Sequence, residues 1–465
     1  MHLVWLRNDL RIDDHPALHG AASSREGVVA VAVLTPEQWR THDAAPARVA
    51  FWLATLGQLQ TELAARNIGL RVQRVQRVQR FTEIPARLLQ LARDLGARSL
   101  WFNREYPLDE VRRDEQVIAV FRAAGIPVTV CEGDCVLPPG RVVTGAGTSF
   151  RIFTPFARAW RRELAAAGWT PLPAPARQPT LPIGDAVPEA LPGWPAAFRA
   201  DLWPAGGAAA RRRLAQFAAR DLGHYATRRD FPAADGTSRL SPYLACGALS
   251  ARQCVAAVAA RADTGDWLRE PWVNELIWRD FFRHLMVAFP GLSRWEPFRP
   301  EVEARIHWSN DEQRWQAWCR GETGFPIVDA GLHELLATGW MHNRVRMIVA
   351  SFLTKLLNVD WRLGARFFMG QLIDGDFSSN LGGWQWCASV GADAAPYFRI
   401  FNPILQGQRF DAAGDYVAHW LPELAALPPG RRQDPIAASA LGRPRPIIDY
   451  RAARAASLAS YQSGG

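Results

Sequence analysis

The pattern of apolar residues changes character once along this chain, at a proline-rich break, and that change limits the folds open to it. Before the break, residues 2–6 (HLVWL), 28–34 (VVAVAVL), 99–102 (SLWF) and 126–131 (IPVTVC) are short apolar runs of buried-strand type. The stretches 46–66, 82–96 and 108–124 between them have helical periodicity. Strand alternating with helix predicts a mostly parallel, doubly wound sheet, whose ligand sits beyond the carboxyl ends of the strands. The RVQRVQRVQR run at 71–80 repeats every three residues, is too short for a solenoid, and predicts an exposed strand or loop. Eight prolines between Pro171 and Pro195 mark a linker. Past about residue 200, the segments 208–221, 250–262, 271–288, 327–338, 340–357 and 361–373 are helical in period, with little β-branched alternation. The expected organisation is an α/β domain at 1–135, an interdomain linker at 136–200 and a larger all-α domain at 201–465.

Composition narrows the function classes. At 465 residues, nearly half of them apolar, the chain can bury more than one core. No apolar run is long enough to span a membrane, and Arg7 and Asp9 fall where a signal peptide needs its apolar stretch. A cytoplasmic location is expected. The six cysteines form no CxxC pair and no set with histidines, so reduced thiols and no metal site are expected. The net charge of +9 admits a polyanion partner. Lys355 is the only lysine, so arginine carries nearly all the positive charge, and a compositional bias explains much of that. Twenty tryptophans, thirteen of them after residue 200, are a sharper anomaly. Most must be core, but so much indole beside so much guanidinium suits a flat ligand or a base.

Four segments of the second half carry the chemistry. Gly236-Thr237-Ser238-Arg239-Leu240-Ser241-Pro242 places hydroxyls, amides and one arginine at the mouth of a helix, which fits a phosphate and fits an ordinary cap equally well. In Trp272–Phe282, Glu275, Trp278 and Arg279 share one helical face, suited to a base or flavin edge or to an internal ion pair. In Trp340–Met347, Asn343 and Met347 share a face one turn apart, an amide beside a soft apolar floor. Asp374-Gly375-Asp376 through Asn380, followed by Gly382-Gly383-Trp384-Gln385-Trp386, lacks the spacing and terminal glutamate of an EF-hand. A carboxylate and amide loop against a heteroaromatic ring fits it better.

Taken in order, these segments resemble the photolyase/cryptochrome family, most of all its class I branch acting on cyclobutane pyrimidine dimers. The opening Val4-Trp5-Leu6-Arg7-Asn8-Asp9-Leu10-Arg11, Asp360-Trp361-Arg362, and Ala394-Ala395-Pro396-Tyr397-Phe398-Arg399-Ile400-Phe401-Asn402-Pro403 match as well, so the resemblance spans essentially the whole chain. It implies FAD bound without a covalent link in the helical domain, among Tyr225, Thr237, Ser238, Arg239, Leu240, Ser241, Trp272, Arg279, Asp374, Gly375 and Asp376. By the same resemblance Arg346 pairs with Asp374 near the ring, and Asn380 faces its N5. The implied substrate is ultraviolet-damaged DNA, double- or single-stranded, with the joined pyrimidines flipped out of the stack. Glu275 would hold the pyrimidine edge, Trp278 and Trp386 the aromatic walls, and Asn343 and Met347 the remaining contacts. Arg229, Arg344, Arg399 and Gln406 would meet the DNA backbone or rim. Trp384, Trp361 and Trp308 match the chain of tryptophans that feeds electrons to oxidised flavin, with Trp315 and Trp318 close in sequence to its surface end.

The family also implies a second, light-harvesting chromophore on the α/β domain. Tyr106-Pro107-Leu108-Asp109-Glu110 resembles its folate-anchoring segment, and methenyltetrahydrofolate is the favoured antenna. Asp109 stands where asparagine is familiar, and Ser293-Arg294 replaces the usual neighbouring pair, so a deazaflavin or second flavin stays open. A monomer is expected. Two other readings use the same scaffold. A cryptochrome-type photoreceptor predicts a long C-terminal extension, and repair of the (6–4) photoproduct favours a histidine pair where His342-Asn343 stands.

Overall fold

The computed structural model describes residues 1–74, 83–179, 184–261 and 267–462. Five parallel strands form one sheet: β1 (His2–Leu6), β2 (Val28–Leu34), β3 (Gly69–Arg74), β4 (Ser99–Asn103) and β5 (Val128–Cys131), in the order β3-β2-β1-β4-β5. The doubly wound α/β reading is borne out, and its two-residue period sorts side chains cleanly between two cores. Val4, Leu6, Val28, Ala30 and Ala32 pack against Leu18, Leu56, Leu59 and Leu63 of the Pro16–Ser23 and Pro46–Ala64 helices. Leu3, Trp5, Val29 and Val31 pack on the other face against Leu88, Leu91, Val117 and Phe121 of Glu83–Asp94 and Leu108–Ala123. Every residue of β2 is buried, which is why that strand is an unbroken Val/Ala/Leu run with no alternation.

Two boundaries differ from the sequence expectation. β5 starts at Val128, two residues late, because Pro127 has no N–H to give the ladder; its carbonyl still accepts from Leu100 N at 3.0 Å. The 71–80 run enters the sheet as the edge strand β3 through Arg74, and the rest of it lies outside the described residues.

The helical reading of the second half also holds. Helices span Gly207–Arg220, Ala251–Ala259, Pro271–Ala288, Pro326–Thr338 and Trp361–Gln371. The stretch expected at 340–357 is divided: His342 caps a helix at Asn343–Ser351, and a π-helical turn, Phe352–Leu356, follows it. A further helix, Phe153–Ala167, lies in the region expected to be linker. The proline-rich stretch carries no helix among its described residues and is tied down: Leu172 N donates to Asp14 at 3.0 Å and Gln178 N to the Arg66 carbonyl at 2.8 Å. The six cysteines are free thiols, and no described helix is long and apolar enough to cross a membrane.

By compactness the chain forms two units. The first comprises Met1–Leu222, Ser238–Ser293 and Ile373–Ser378, and the second Gly223–Thr237, Arg294–Leu372 and Ser379–Gly465.

Candidate functional site

In the first unit the Pro271–Ala288 helix organises the expected residues. Trp272 is buried and packs on Phe217, ring centroids 4.9 Å apart. Asp280, fully buried, accepts from Leu137 N at 3.0 Å and Trp160 Nε1 at 2.9 Å, which fixes the helix against the loop after β5. Arg279, expected at the cofactor, is committed to that loop: Nη1 donates to the Asp134 carbonyl at 2.6 Å and Nη2 pairs with its carboxylate. Arg283, one turn on, pairs with the same carboxylate and with Asp376 at 2.7 Å. Burial pushes Asp134 upward, but the two guanidinium groups outweigh it and its pKa is lowered. Arg279 and Asp376 are therefore joined through Asp134 and Arg283, two residues the sequence reading did not single out.

The Thr237–Ser241 segment turns sharply at Arg239, whose φ of 50° is left-handed. Arg213 Nε holds the Ser238 carbonyl at 2.9 Å, and the buried Leu240 precedes the short Ser241–Cys246 helix. That helix ends at Gly247, φ 72°, where a Cβ would overlap the Asn8 carbonyl and the Asp9 backbone, so only glycine fits. Arg11 Nη1 closes the contact on the Gly247 carbonyl at 3.2 Å. Asp374 and Gly375 are buried.

Trp278 lies face to face on Phe153, centroids 3.7 Å apart and planes 2° from parallel, with Phe281 edge-on at 5.7 Å. Phe153 opens the unexpected Phe153–Ala167 helix, so no local signal linked it to Trp278. Glu275 stands one turn before Trp278, half-buried.

In the second unit, the Asn343–Ser351 helix presents Asn343 exposed and Met347 half-buried. Arg344 pairs with Asp230 at 2.8 Å and lies 4.4 Å over the Phe410 ring. Arg346 Nε donates to the Met341 carbonyl at 2.7 Å. Tyr225 is buried under the Arg229 guanidinium, 5.2 Å from its ring. Asn380 Nδ2 donates to the Ala365 carbonyl at 2.9 Å, which leaves its oxygen as the atom to meet another group. Trp384 contacts Phe368 at 5.0 Å and Trp318 at 6.2 Å, and Trp318 stacks on Trp315 at 5.4 Å. Trp361 donates to Glu303 at 2.8 Å and lies 6.2 Å from Trp295. Trp386, Trp308 and Gln406 are half-buried, and Arg399 is exposed.

At the head of the Leu108–Ala123 helix, in the first unit, Glu110 faces Gln38 at 3.3 Å and His42 at 3.5 Å. The other nitrogen of His42 lies 3.4 Å from Asp109, and burial raises the Glu110 pKa. Leu108 N donates to Ser293 at 3.1 Å. Among the described residues no cluster of acidic, histidine or cysteine side chains could hold a metal ion.

Two family models match: "DNA photolyase" over residues 2–176 and "FAD binding domain of DNA photolyase" over 272–463. Curated relatives run the full length. A Vibrio cholerae deoxyribodipyrimidine photo-lyase is 42% identical, over 100% of this chain and 99% of the relative. The Salmonella typhimurium one is 44% identical, over 99% and 98%. The chain belongs to the DNA photolyase family. Solved structures agree: an Agrobacterium tumefaciens class III photolyase (TM-score 0.87, 33% identity, 99% of this chain and 97% of that one) and a Synechocystis cryptochrome (0.87, 29%, 98% and 98%). A Sulfolobus tokodaii photolyase solved with two FAD molecules gives 0.81 at 28%, covering both chains fully.

The photolyase donor set fits FAD. Within the first unit the Ser238 and Ser241 hydroxyls with Arg239 suit a pyrophosphate and buried Trp272 suits a flat ring; within the second, buried Tyr225 suits a flat ring and the Asn380 oxygen suits a ring N–H.

Proposed function

We propose that this chain repairs cyclobutane pyrimidine dimers in DNA with light, as a deoxyribodipyrimidine photolyase. The observation that carries the reading is its full-length similarity to curated photo-lyases, with each segment of the donor set present. When bound and reduced, FAD would be the source of a light-excited electron that the dimer borrows and returns. Thr237, Ser238 and Ser241 donate to its pyrophosphate, Arg239 adds charge, and Leu240, Trp272 and Tyr225 give the apolar walls. Gly375 lets the backbone approach, Asp374 with Arg346 flanks the ring, and the Asn380 oxygen accepts at N5. Arg279 contributes through Asp134, holding the Arg283–Asp376 pair at the cofactor.

Glu275 accepts from the pyrimidine edge of the flipped dimer, and its charge governs the electron-bearing intermediate. Trp278 and Trp386 flank the bases, while Asn343 and Met347 complete the contact. Arg229, Arg344, Arg399 and Gln406 hold the DNA backbone or rim. Trp384, Trp361 and Trp308 would carry electrons toward oxidised flavin. The protein works as a cytoplasmic monomer with 1–135, 136–200 and 201–465 as antenna domain, linker and catalytic domain. Methenyltetrahydrofolate is the proposed antenna, read by the Glu110 carboxylate, with the His42 ring between Asp109 and Glu110.

Purified protein should be yellow and, in the dark, bind a dimer-containing oligonucleotide in preference to undamaged DNA. Preference for a (6–4) photoproduct would favour that second repair reading. It is disfavoured here because residue 343 is asparagine and His342 Nδ1 already accepts from Arg344 N at 3.2 Å.

A further inference from the structure

We infer that Glu334, with Tyr416, is a positioning residue for lesion recognition; the inference rests on the reading above, in which Asn343 and Met347 touch the dimer. Glu334 belongs to the Pro326–Thr338 helix and is 7% exposed, an expensive place for a carboxylate that touches neither cofactor nor DNA in that reading. Its Oε2 accepts from the Tyr416 hydroxyl at 2.7 Å and from the backbone N–H of His342 at 3.1 Å. His342 is the residue that caps the Asn343–Ser351 helix, so the carboxylate reaches across the intervening turn to the first peptide of the next helix.

The geometry has two consequences. Negative charge at a helix N-terminus is favourable, and here it comes from a neighbouring helix. Asn343, the first residue of that helix, has its backbone fixed from both sides, because His342 Nδ1 accepts from Arg344 N and Arg346 Nε holds the Met341 carbonyl. The turn itself is closed by Thr338, whose hydroxyl lies 2.7 Å from the Glu334 carbonyl and 3.0 Å from that of Trp340. Tyr416 is the second anchor. Its phenol pKa is pushed well above the ordinary value by burial and by Glu334, so it stays a donor to the carboxylate. Asp411 in turn caps the Tyr416 segment, accepting from Tyr416 N at 3.0 Å and Val417 N at 3.1 Å. A buried acid thus fixes where the base-reading amide points.

The test is binding of dimer-containing and undamaged oligonucleotides by the FAD-loaded protein, with flavin content and melting temperature as folding controls. Glu334→Ala should lower affinity for dimer DNA about tenfold, the size of one lost hydrogen bond to a charged group, with affinity for undamaged DNA little changed. Glu334→Gln, whose amide oxygen still accepts from both donors, should restore the preference, and Tyr416→Phe should lose part of it. Asn343→Ala separates the two ideas. If it leaves lesion preference intact, the lesion-contact reading fails. If it lowers lesion preference while Glu334→Ala does not, the positioning role fails. Should the alanine variant not fold, the glutamine and phenylalanine variants decide: a parallel loss of both affinities, or an unchanged preference in Tyr416→Phe, overturns the inference.

Discussion

At the scale of single residues, the proposed function divides roles between groups that meet the ligands and groups that aim them. Glu275→Ala should cut repair per absorbed photon several-fold more than it cuts DNA affinity, because its charge acts on a species formed only after excitation. Equal losses in yield and affinity, read from action spectra and binding curves, would make Glu275 a binding residue only. Trp384→Phe should stop photoreduction of oxidised flavin yet leave repair intact after chemical reduction, as flash spectroscopy and a repair assay would register. The ring contact of Trp384 with the fully buried Trp318 makes loss of packing the competing outcome, and a fall in melting temperature would reveal it. The aiming groups were the hardest to read from sequence. Asp134, Arg283, Phe153 and Glu334 act on partners that lie 93 to 149 residues away in the chain (Arg283–Asp376 and Asp134–Arg283), or across a helix turn and a second strand of chain. No periodicity reports such pairs. The proposed lesion contacts stand out in the sequence because Glu275 with Trp278, and Asn343 with Met347, each fall within about one turn of a helix.

The π-helical turn Phe352–Leu356 is the element with the clearest pH signature. It carries the only lysine of the chain, 1% exposed, with Nζ 2.8 Å from Ser389 Oγ and 3.6 Å from the Tyr461 ring centroid. Burial lowers the Lys355 pKa to about 7, against a smaller opposing effect of Cys387. The unfolded chain keeps that proton up to its ordinary pKa of 10.5, so folding releases a proton between the two values and stability rises with pH across that window. The cost of the buried ammonium is therefore greatest below about pH 7. Lys355→Met should raise stability by roughly a few kcal/mol near pH 6, with the gain shrinking toward pH 9, as denaturant titrations would measure. A gain that does not change with pH would mean the amine is not titrating in this window. A second prediction concerns the Trp361–Gln371 helix. A Cβ on Gly364 would overlap the Trp384 ring, so Gly364→Ala should displace that indole and change its fluorescence. Helix and strand existence was legible from periodicity, whereas the π turn and the late start of β5 were set by local backbone hydrogen bonding that apolar patterns do not record.

At the scale of the whole molecule, a charge of +9 predicts DNA binding that weakens with salt, with a slope of about −0.9 per phosphate neutralised. Arg399→Ala, at an exposed site, should flatten that slope by about one contact with lesion preference kept. Arg344→Ala should change it less, since its guanidinium already pairs with Asp230. A lost lesion preference with an unchanged slope would move either arginine from backbone to pocket. The architecture was open to sequence reading because the change from strand–helix alternation to helix alone spans hundreds of residues, and many short segments agreed in order. The antenna was less legible, since His42 reaches Asp109 and Glu110 from a distant loop; folate retained after desalting by wild type and lost in Glu110→Ala would support its assignment. The central claim is the light-driven splitting of pyrimidine dimers. Its most direct test is anaerobic illumination of the chemically reduced protein with a thymine-dimer oligonucleotide, followed by chromatography. The account predicts restored thymines in the light, none in the dark, and no net consumption of reductant; an intact dimer after illumination of flavin-loaded, DNA-bound protein would contradict it.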